Sequence, residues 1–300
     1  MYNAAFQQNA SAEIRLSEEE ASDLAHHLKE KIKAGLPIDS DPESIQLMIA
    51  GLGDPRGLLR RRFSEGLGSV GLAAVPALCQ AMLTSDQVTV RRAAAKTLNL
   101  IGDPNTLPQL LKAFLSDTDS VVQGSTMGAM AGMGERATAS ILSIVENTNS
   151  SEMQIGLANW ALSLIGDQAP NVLRQAAQSD NSNVRKSAFI ALGSQIQTLD
   201  SNEDLNVIIN ALADSCSEIR AEAVTFLGKM DDAESSSNMI KPLLSDSDAW
   251  VRKNSALALM KLRSTSSIEA IKEKISSEKD EIVLNVLKLA VDQLQKIDRV

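Results

Sequence analysis

Two rows of side chains, each recurring about every 32 residues, carry the most suggestive chemistry in this chain. The first row is Arg61, Arg92, Gly124, Gly156 and Lys186, continued by Ala221 and Lys253; the second is Glu65, Lys96, Gly128 and Trp160, continued by Ile190, Thr225 and Leu257. Together they place cations beside small residues and one aromatic. Such a surface suits a flat, conjugated molecule that bears carboxylates, because cations pair with carboxylates and glycines leave room for a ring system. The rows also admit blander readings. Arg61, Arg92, Lys186 and Lys253 could equally form a solvated surface. Gly124, Gly128, Gly132 and Gly156 could serve close helix approach as well as ligand room; a helical glycine costs about 1 kcal/mol relative to alanine, so either way they need a reason.

Other candidates for chemistry are weaker. His26 and His27 are adjacent, so on a helix they point about 100° apart and cannot share a metal. Cys79 falls on the apolar face of a short helix and Cys216 in a turn, and both read as incidental thiols. Met127, Met130 and Met133 read as core packing. No phosphate-binding loop, nucleophile elbow or dinucleotide fingerprint is present. No metal site is expected.

The elements that must hold these rows follow from internal repetition. TVRRAAAKTLNLIGDP (89–104) is echoed by NVRKSAFIALGSQI, EIRAEAVTFLGKM and WVRKNSALALMKL, with weaker copies elsewhere. With the first Arg of VRR as anchor, the copies fall at Arg60, Arg91, Gln123, Ile155, Arg185, Arg220, Arg252 and Leu284. Val90, Ala94, Leu98 and Ile101 have the spacing of one helical face, and the two rows, one and five residues after each anchor, lie opposite it. An Asp precedes most copies (Asp86, Asp119, Asp180, Asp214, Asp248), placed to cap the helix or bond the turn. Shorter apolar helices lie between, as in LPQLLKAFL (107–115), and Gly-Asp-Pro turns punctuate the connections. The anchor arginines Arg91, Arg185, Arg220 and Arg252 read as rungs of an Asp–Arg ladder.

Two helices per roughly 32 residues predict an all-α fold, an α-solenoid of about eight helix pairs resembling HEAT-like repeats. Only 8 aromatics in 300 residues argue against β architecture. A net charge of −9 argues against a nucleic-acid partner, and two cysteines point to a reducing, cytoplasmic setting. The uncharged run from Gly66 to Ser85, broken by Gly68, Gly71 and Pro76, reads as helix–turn–helix, not as a membrane span. Residues 1–50 carry 9 acids and 4 bases and are expected to form an acidic helical cap or docking arm, with 51–300 as the solenoid. Ser17 and Glu20 form a capping-box pattern, and a second helix is expected over 42–52.

The segments DPRGLLRRRFSEGLGSVGLAAVPALCQAM, VRRAAAKTLNLIGDPNTLPQLLKAFLSDTDSVVQGSTMGAM and LANWALSLIGDQA resemble the cyanobacterial phycobilin lyases of the E/F type, nearest the phycoerythrin-serving members. The likeness covers roughly 54–300 and is most specific over 57–166. It implies a lyase that binds an open-chain tetrapyrrole, phycoerythrobilin or a relative, and delivers it to a cysteine of a phycobiliprotein, phycoerythrin foremost. The bilin is then substrate and no cofactor is implied, while a second lyase subunit or a chaperone is a possible further partner. On this reading Arg61, Arg92 and Lys186 clamp the propionates, with Lys96 beside them. Trp160 packs on a pyrrole ring over Gly124, Gly128 and Gly156, and a catalytic carboxylate, Glu65 or Asp119, accepts pyrrole N–H bonds and favours the protonated, more electrophilic bilin. The Asn-His-Cys-Tyr type of motif of one isomerising subgroup is absent. A non-catalytic scaffold or chaperone of phycobilisome assembly or degradation is the alternative reading, since it would present the same surface.

Overall fold

The computed structural model describes residues 14–193 and 202–298, and among these every regular element is helical. The chain begins with α1 (Glu18–Lys33), α2 (Pro42–Gly51), α3 (Gly57–Val70), α4 (Val75–Thr84), α5 (Val88–Ile101), α6 (Leu107–Ser116), α7 (Ser120–Ala131), α8 (Glu135–Glu146) and α9 (Glu152–Ile165). It continues with α10 (Pro170–Ala176), α11 (Ser182–Gly193), α12 (Asn202–Ala211), α13 (Ser217–Leu227), α14 (Ala233–Ile240), α15 (Ala249–Lys261), α16 (Ile268–Ile275) and α17 (Glu281–Asp298). From α2 onward, a shorter helix is followed by a longer one eight times.

The helices form two compact units. One takes the chain up to Ile141 together with Ser151–Ala161; the other takes Leu142–Ser150 and the chain from Leu162 on. In the first, α2 packs on α3, α4 on α5 and α6 on α7, while α1, α3, α5 and α7 lie side by side in that order. In the second, α10 packs on α11, α12 on α13, α14 with its 3-10 extension on α15, and α16 on α17. Buried Ala, Leu, Val and Phe side chains fill the space between paired helices, as Leu78, Val90, Ala94, Leu98, Leu110 and Phe114 do in the first unit. Met127 and Met130 are fully buried there, as their periodicity predicts.

Local chemistry sets the boundaries. The Ser17–Glu20 capping box is formed at the start of α1, and Asp41 caps α2, whose first residue is Pro42. Gly102 ends α5 in the left-handed conformation (φ 72°), where glycine meets no Cβ penalty, and the Asp103 carboxylate then accepts from the Asn105 amide. Gly57–Thr84 is long and apolar enough to cross a membrane by length and composition alone. It is not one straight rod: Gly71 (φ 70°) ends α3 and a 3-10 turn leads into α4, the helix–turn–helix read from the sequence.

The Asp–Arg ladder is built, with a division of labour that the sequence pattern left merged. Arg91 pairs with Asp117 (2.7 Å), Arg185 with Asp214 (2.9 Å), Arg220 with Asp246 (2.7 Å) and Arg252 with Glu278 (2.8 Å). Each arginine also donates to the carbonyl six residues earlier, as Arg91 does to Ser85 and Arg252 to Asp246. The guanidinium fork thus ties the turn before its own helix to the turn before the next. Capping falls to other acids: Asp119 and Asp248 accept from the first amides of α7 and α15. At the third anchor Gln123 keeps only the backward bond, to the Asp117 carbonyl at 2.7 Å, and its buried Oε1 has no partner.

Candidate functional site

Helices α3, α5, α7 and α9 carry eight of the ten residues singled out from the sequence and a ninth, Asp119, caps α7, all within the first unit. The tenth, Lys186, stands on α11 in the second unit. There its positive charge helps hold Glu218 below the ordinary carboxylate range, after the larger effect of a hydrogen bond from the Cys216 thiol. The clamp of Arg61, Arg92 and Lys186 expected from the sequence is therefore not assembled within one unit.

Arg92 and Lys96 are one helical turn apart on α5, both exposed, and neither makes an ion pair among the described residues. Like charges at this spacing repel by a few tenths of a kcal/mol. Partial burial, then the charges of Arg92 and of Arg60 on α3, hold the Lys96 ammonium below its ordinary range. Here α5 presents concentrated, uncompensated positive charge.

Arg61 differs. Its Nε donates to Glu65 Oε1 at 2.8 Å, and Arg62 Nη1 donates to Glu65 Oε2 at 2.7 Å. Burial pushes the Glu65 carboxyl up, but these two bonds outweigh it and keep the group ionised below its usual range. Glu65 is thus an acceptor already engaged on both oxygens, and no proton donor at neutral pH. Asp119 is the N-cap of α7, where one oxygen takes the amides of Val121 (2.9 Å) and Val122 (3.1 Å). Its place at the helix start makes it a structural residue rather than the groove acid expected.

The glycines separate into two kinds. A methyl group built on Gly132 would stand 2.1 Å from Asn99 Oδ1, so this glycine serves the approach of α7 to α5. The same construction at Gly124 and Gly156 meets nothing within 4 Å, and at Gly128 it meets only the Trp160 ring edge, at 3.9 Å. These three leave an open floor that helix packing does not require. Trp160 stands beside it on α9 with 47% of its surface exposed. The second tryptophan, Trp250, is 59% exposed in the other unit, where Lys253 Nζ sits 3.2 Å from its ring centroid.

Nothing in this set supplies a nucleophile. Burial, followed by the nearby Asp103 charge, pushes the Cys79 thiol up to about 11, and the Cys216 thiol donates to Glu218 at 2.9 Å. Among the described residues no cluster of three or more His, Cys, Asp or Glu could hold a metal ion, and His26 and His27 are both exposed on α1. The face can bind, orient and shield a ligand, and its chemistry stops there.

Comparison with known proteins agrees with this frame. The family described as HEAT repeats matches residues 45–131 and 205–291. The bilin biosynthesis protein MpeU of Synechococcus sp. (strain WH8020) is 46% identical over 281 residues, 94% of this chain and 95% of that protein. The chain belongs to the HEAT-repeat family of MpeU. A further relative, the uncharacterized phycocyanin operon protein Z of Pseudanabaena tenuis (strain PCC 7409), is 30% identical over 168 residues, 53% of this chain and 83% of that protein. Among solved structures, the complex of CpcE and CpcF of phycocyanin lyase from Nostoc sp. PCC7120 covers 62% of this chain and 99% of its own at 19% identity and a TM-score of 0.31. The family read from residues 54–300 is the family found, and the whole candidate face falls inside the stretch shared with MpeU.

Proposed function

We propose that this HEAT-repeat protein is a bilin lyase: it binds an open-chain tetrapyrrole and positions it for thioether attachment to a cysteine of a phycobiliprotein. The observation that carries this reading is the open face of the first unit, where unpaired Arg92 and Lys96 flank a floor of Gly124, Gly128 and Gly156 beside exposed Trp160. It is supported by 46% identity to a bilin biosynthesis protein along almost the whole chain. The ligand is phycoerythrobilin or a close relative, and the acceptor a phycoerythrin subunit. Arg92 and Lys96 take the two propionates and Trp160 stacks on a pyrrole ring.

The reaction asks little covalent chemistry of the lyase. The acceptor thiol adds across the ethylidene double bond of the pigment: sulfur bonds to the ethylidene carbon, the thiol proton passes to the tetrapyrrole, and nothing is oxidised or reduced. Holding the pigment in one conformation turns a slow bimolecular encounter into an oriented one, which is catalysis by positioning. Glu65, with both oxygens held by Arg61 and Arg62, is not asked to accept the pyrrole N–H groups. The pigment is the substrate, no resident cofactor takes part, and the site of action is the cytoplasm, with a second lyase subunit as a further partner.

Co-expression of the chain with a phycoerythrin subunit and a phycoerythrobilin source tests this. A zinc-fluorescent pigment that stays on the denatured subunit, and is absent without the chain, is the expected result. Pigment yield that is the same with and without the chain, across the α and β subunits, would defeat the lyase reading.

A further inference from the structure

Glu65 and Lys96 occupy the same position in consecutive repeats, five residues after Arg60 and Arg91, on helices α3 and α5 that pack side by side. The two helices are level there. A methyl group on Gly68 of α3 would meet the Leu100 side chain of α5, three residues beyond Glu65 and four beyond Lys96. Helices in contact lie about 8–10 Å apart, within the combined reach of a glutamate and a lysine. Yet among the described residues Lys96 makes no ion pair. Glu65 is turned back onto its own helix, one carboxylate oxygen held by Arg61 and the other by Arg62.

We infer that Arg61 and Arg62 are positioning residues that keep Glu65 from neutralising Lys96, so that the Arg92–Lys96 pair stays free for the carboxylates of an incoming ligand. The inference rests on the bilin reading above for the identity of that ligand. Two observations support it. Lys96 feels its positive neighbours Arg92 and Arg60 most, after its own partial burial, and its ammonium is held below its ordinary range. Arg61 is mostly exposed, with 73% of its side chain in solvent, although it lies over a carboxylate that is only 27% exposed. That geometry fits a strap across Glu65 better than a residue reaching for ligand. Releasing the strap would hand Lys96 an internal competitor, since glutamate and ligand carboxylates seek the same ammonium.

The test is an absorbance titration of the full chain with biliverdin, a tetrapyrrole with two free propionates, and with its dimethyl ester as control. Arg61→Gln with Arg62→Gln is expected to weaken biliverdin binding roughly three- to fivefold, the scale of one exposed ion pair. Adding Glu65→Gln to that double variant is expected to restore wild-type affinity, because the competitor is gone. If the triple variant stays as weak as the double, the arginines touch the ligand themselves and the inference is overturned. Wild-type affinity in the double variant overturns it too. Arg92→Gln with Lys96→Gln separates the two levels: if that variant binds biliverdin like the wild type, the location of the anion site is wrong. If it binds weakly while Glu65→Gln fails to rescue, only the role given to Arg61 and Arg62 falls. Circular dichroism melting of each variant confirms that the surface changes leave the helices folded.

Discussion

Trp160 carries the sharpest residue-level prediction. Its ring is half in solvent at the edge of the Gly128 floor, so Trp160→Ala should cost about 1–2 kcal/mol of stability, roughly half the figure for a fully buried aromatic. If a pyrrole ring stacks on it, the same change should weaken bilin binding about tenfold, on the scale of roughly 1–1.5 kcal/mol for a lost aromatic contact. Thermal melting and titration with bilin check the two halves separately. The glycines give a prediction of opposite signs. Gly124→Ala and Gly156→Ala should each stabilise the protein by about 0.5–1 kcal/mol, since the added methyl meets open space on a helix, and should reduce bilin affinity by filling the floor. Helical arithmetic alone put these residues on the exposed side of α7 and α9. It did not separate Gly132, which is packed against Asn99, because that contact depends on how closely α7 meets α5. The commitment of Arg61 to Glu65 was legible in principle, as the two stand four apart on one helix. Reading the rows across repeats, rather than along each helix, hid it.

At the scale of the element, the ladder governs. Asp117, Asp246 and Glu278 each stand 26 residues after the arginine they bind, a spacing as regular as the repeat itself. The signal was in the sequence. It was masked by the neighbouring caps, because DTD at 117–119 and DSD at 246–248 offer two acids for two jobs and only geometry assigns them. Glu278 tests the ladder best. Hydrogen bonding from Arg252 outweighs burial and holds this carboxyl at about 2, against an ordinary 4.5. A depressed folded-state pKa stabilises the fold above the unfolded value, so this contribution is whole above pH 4.5 and drains away as the pH falls toward 2. Glu278→Gln should cost about 1–3 kcal/mol at neutral pH, and its melting temperature should converge with the wild type's on acidification over that window. Gly193→Ala should be costly for another reason. The methyl would lie 1.9 Å from the Phe226 ring, itself buried and 5.3 Å from the Phe189 ring, so overpacking of about 1–3 kcal/mol is expected in a chemical melt.

Across the whole molecule, charge is sorted by position. The first 50 residues hold 9 acids against 4 bases, whereas residues 56–96 hold seven bases against Glu65 and Asp86. The overall −9 therefore conceals a cationic stretch, and the structure places part of it, Arg92 and Lys96, uncompensated on the face of the first unit. The helix-pair architecture was legible because apolar periodicity is a local property, repeated eight times. The allocation of Lys186 was not, since it stands in the second compact unit and Arg92 in the first, and no spacing along the chain reveals that division. The central claim is that the first unit holds the pigment for transfer. The most direct measurement is a single-turnover transfer: purified chain loaded with phycoerythrobilin is mixed with the acceptor phycoerythrin subunit, and covalent pigment on the subunit is followed by zinc fluorescence after denaturation. Fast attachment is expected for the wild type, and attachment no faster than the lyase-free background for the triple variant Arg92→Gln, Lys96→Gln, Trp160→Ala. Transfer by that variant at the wild-type rate would contradict the claim.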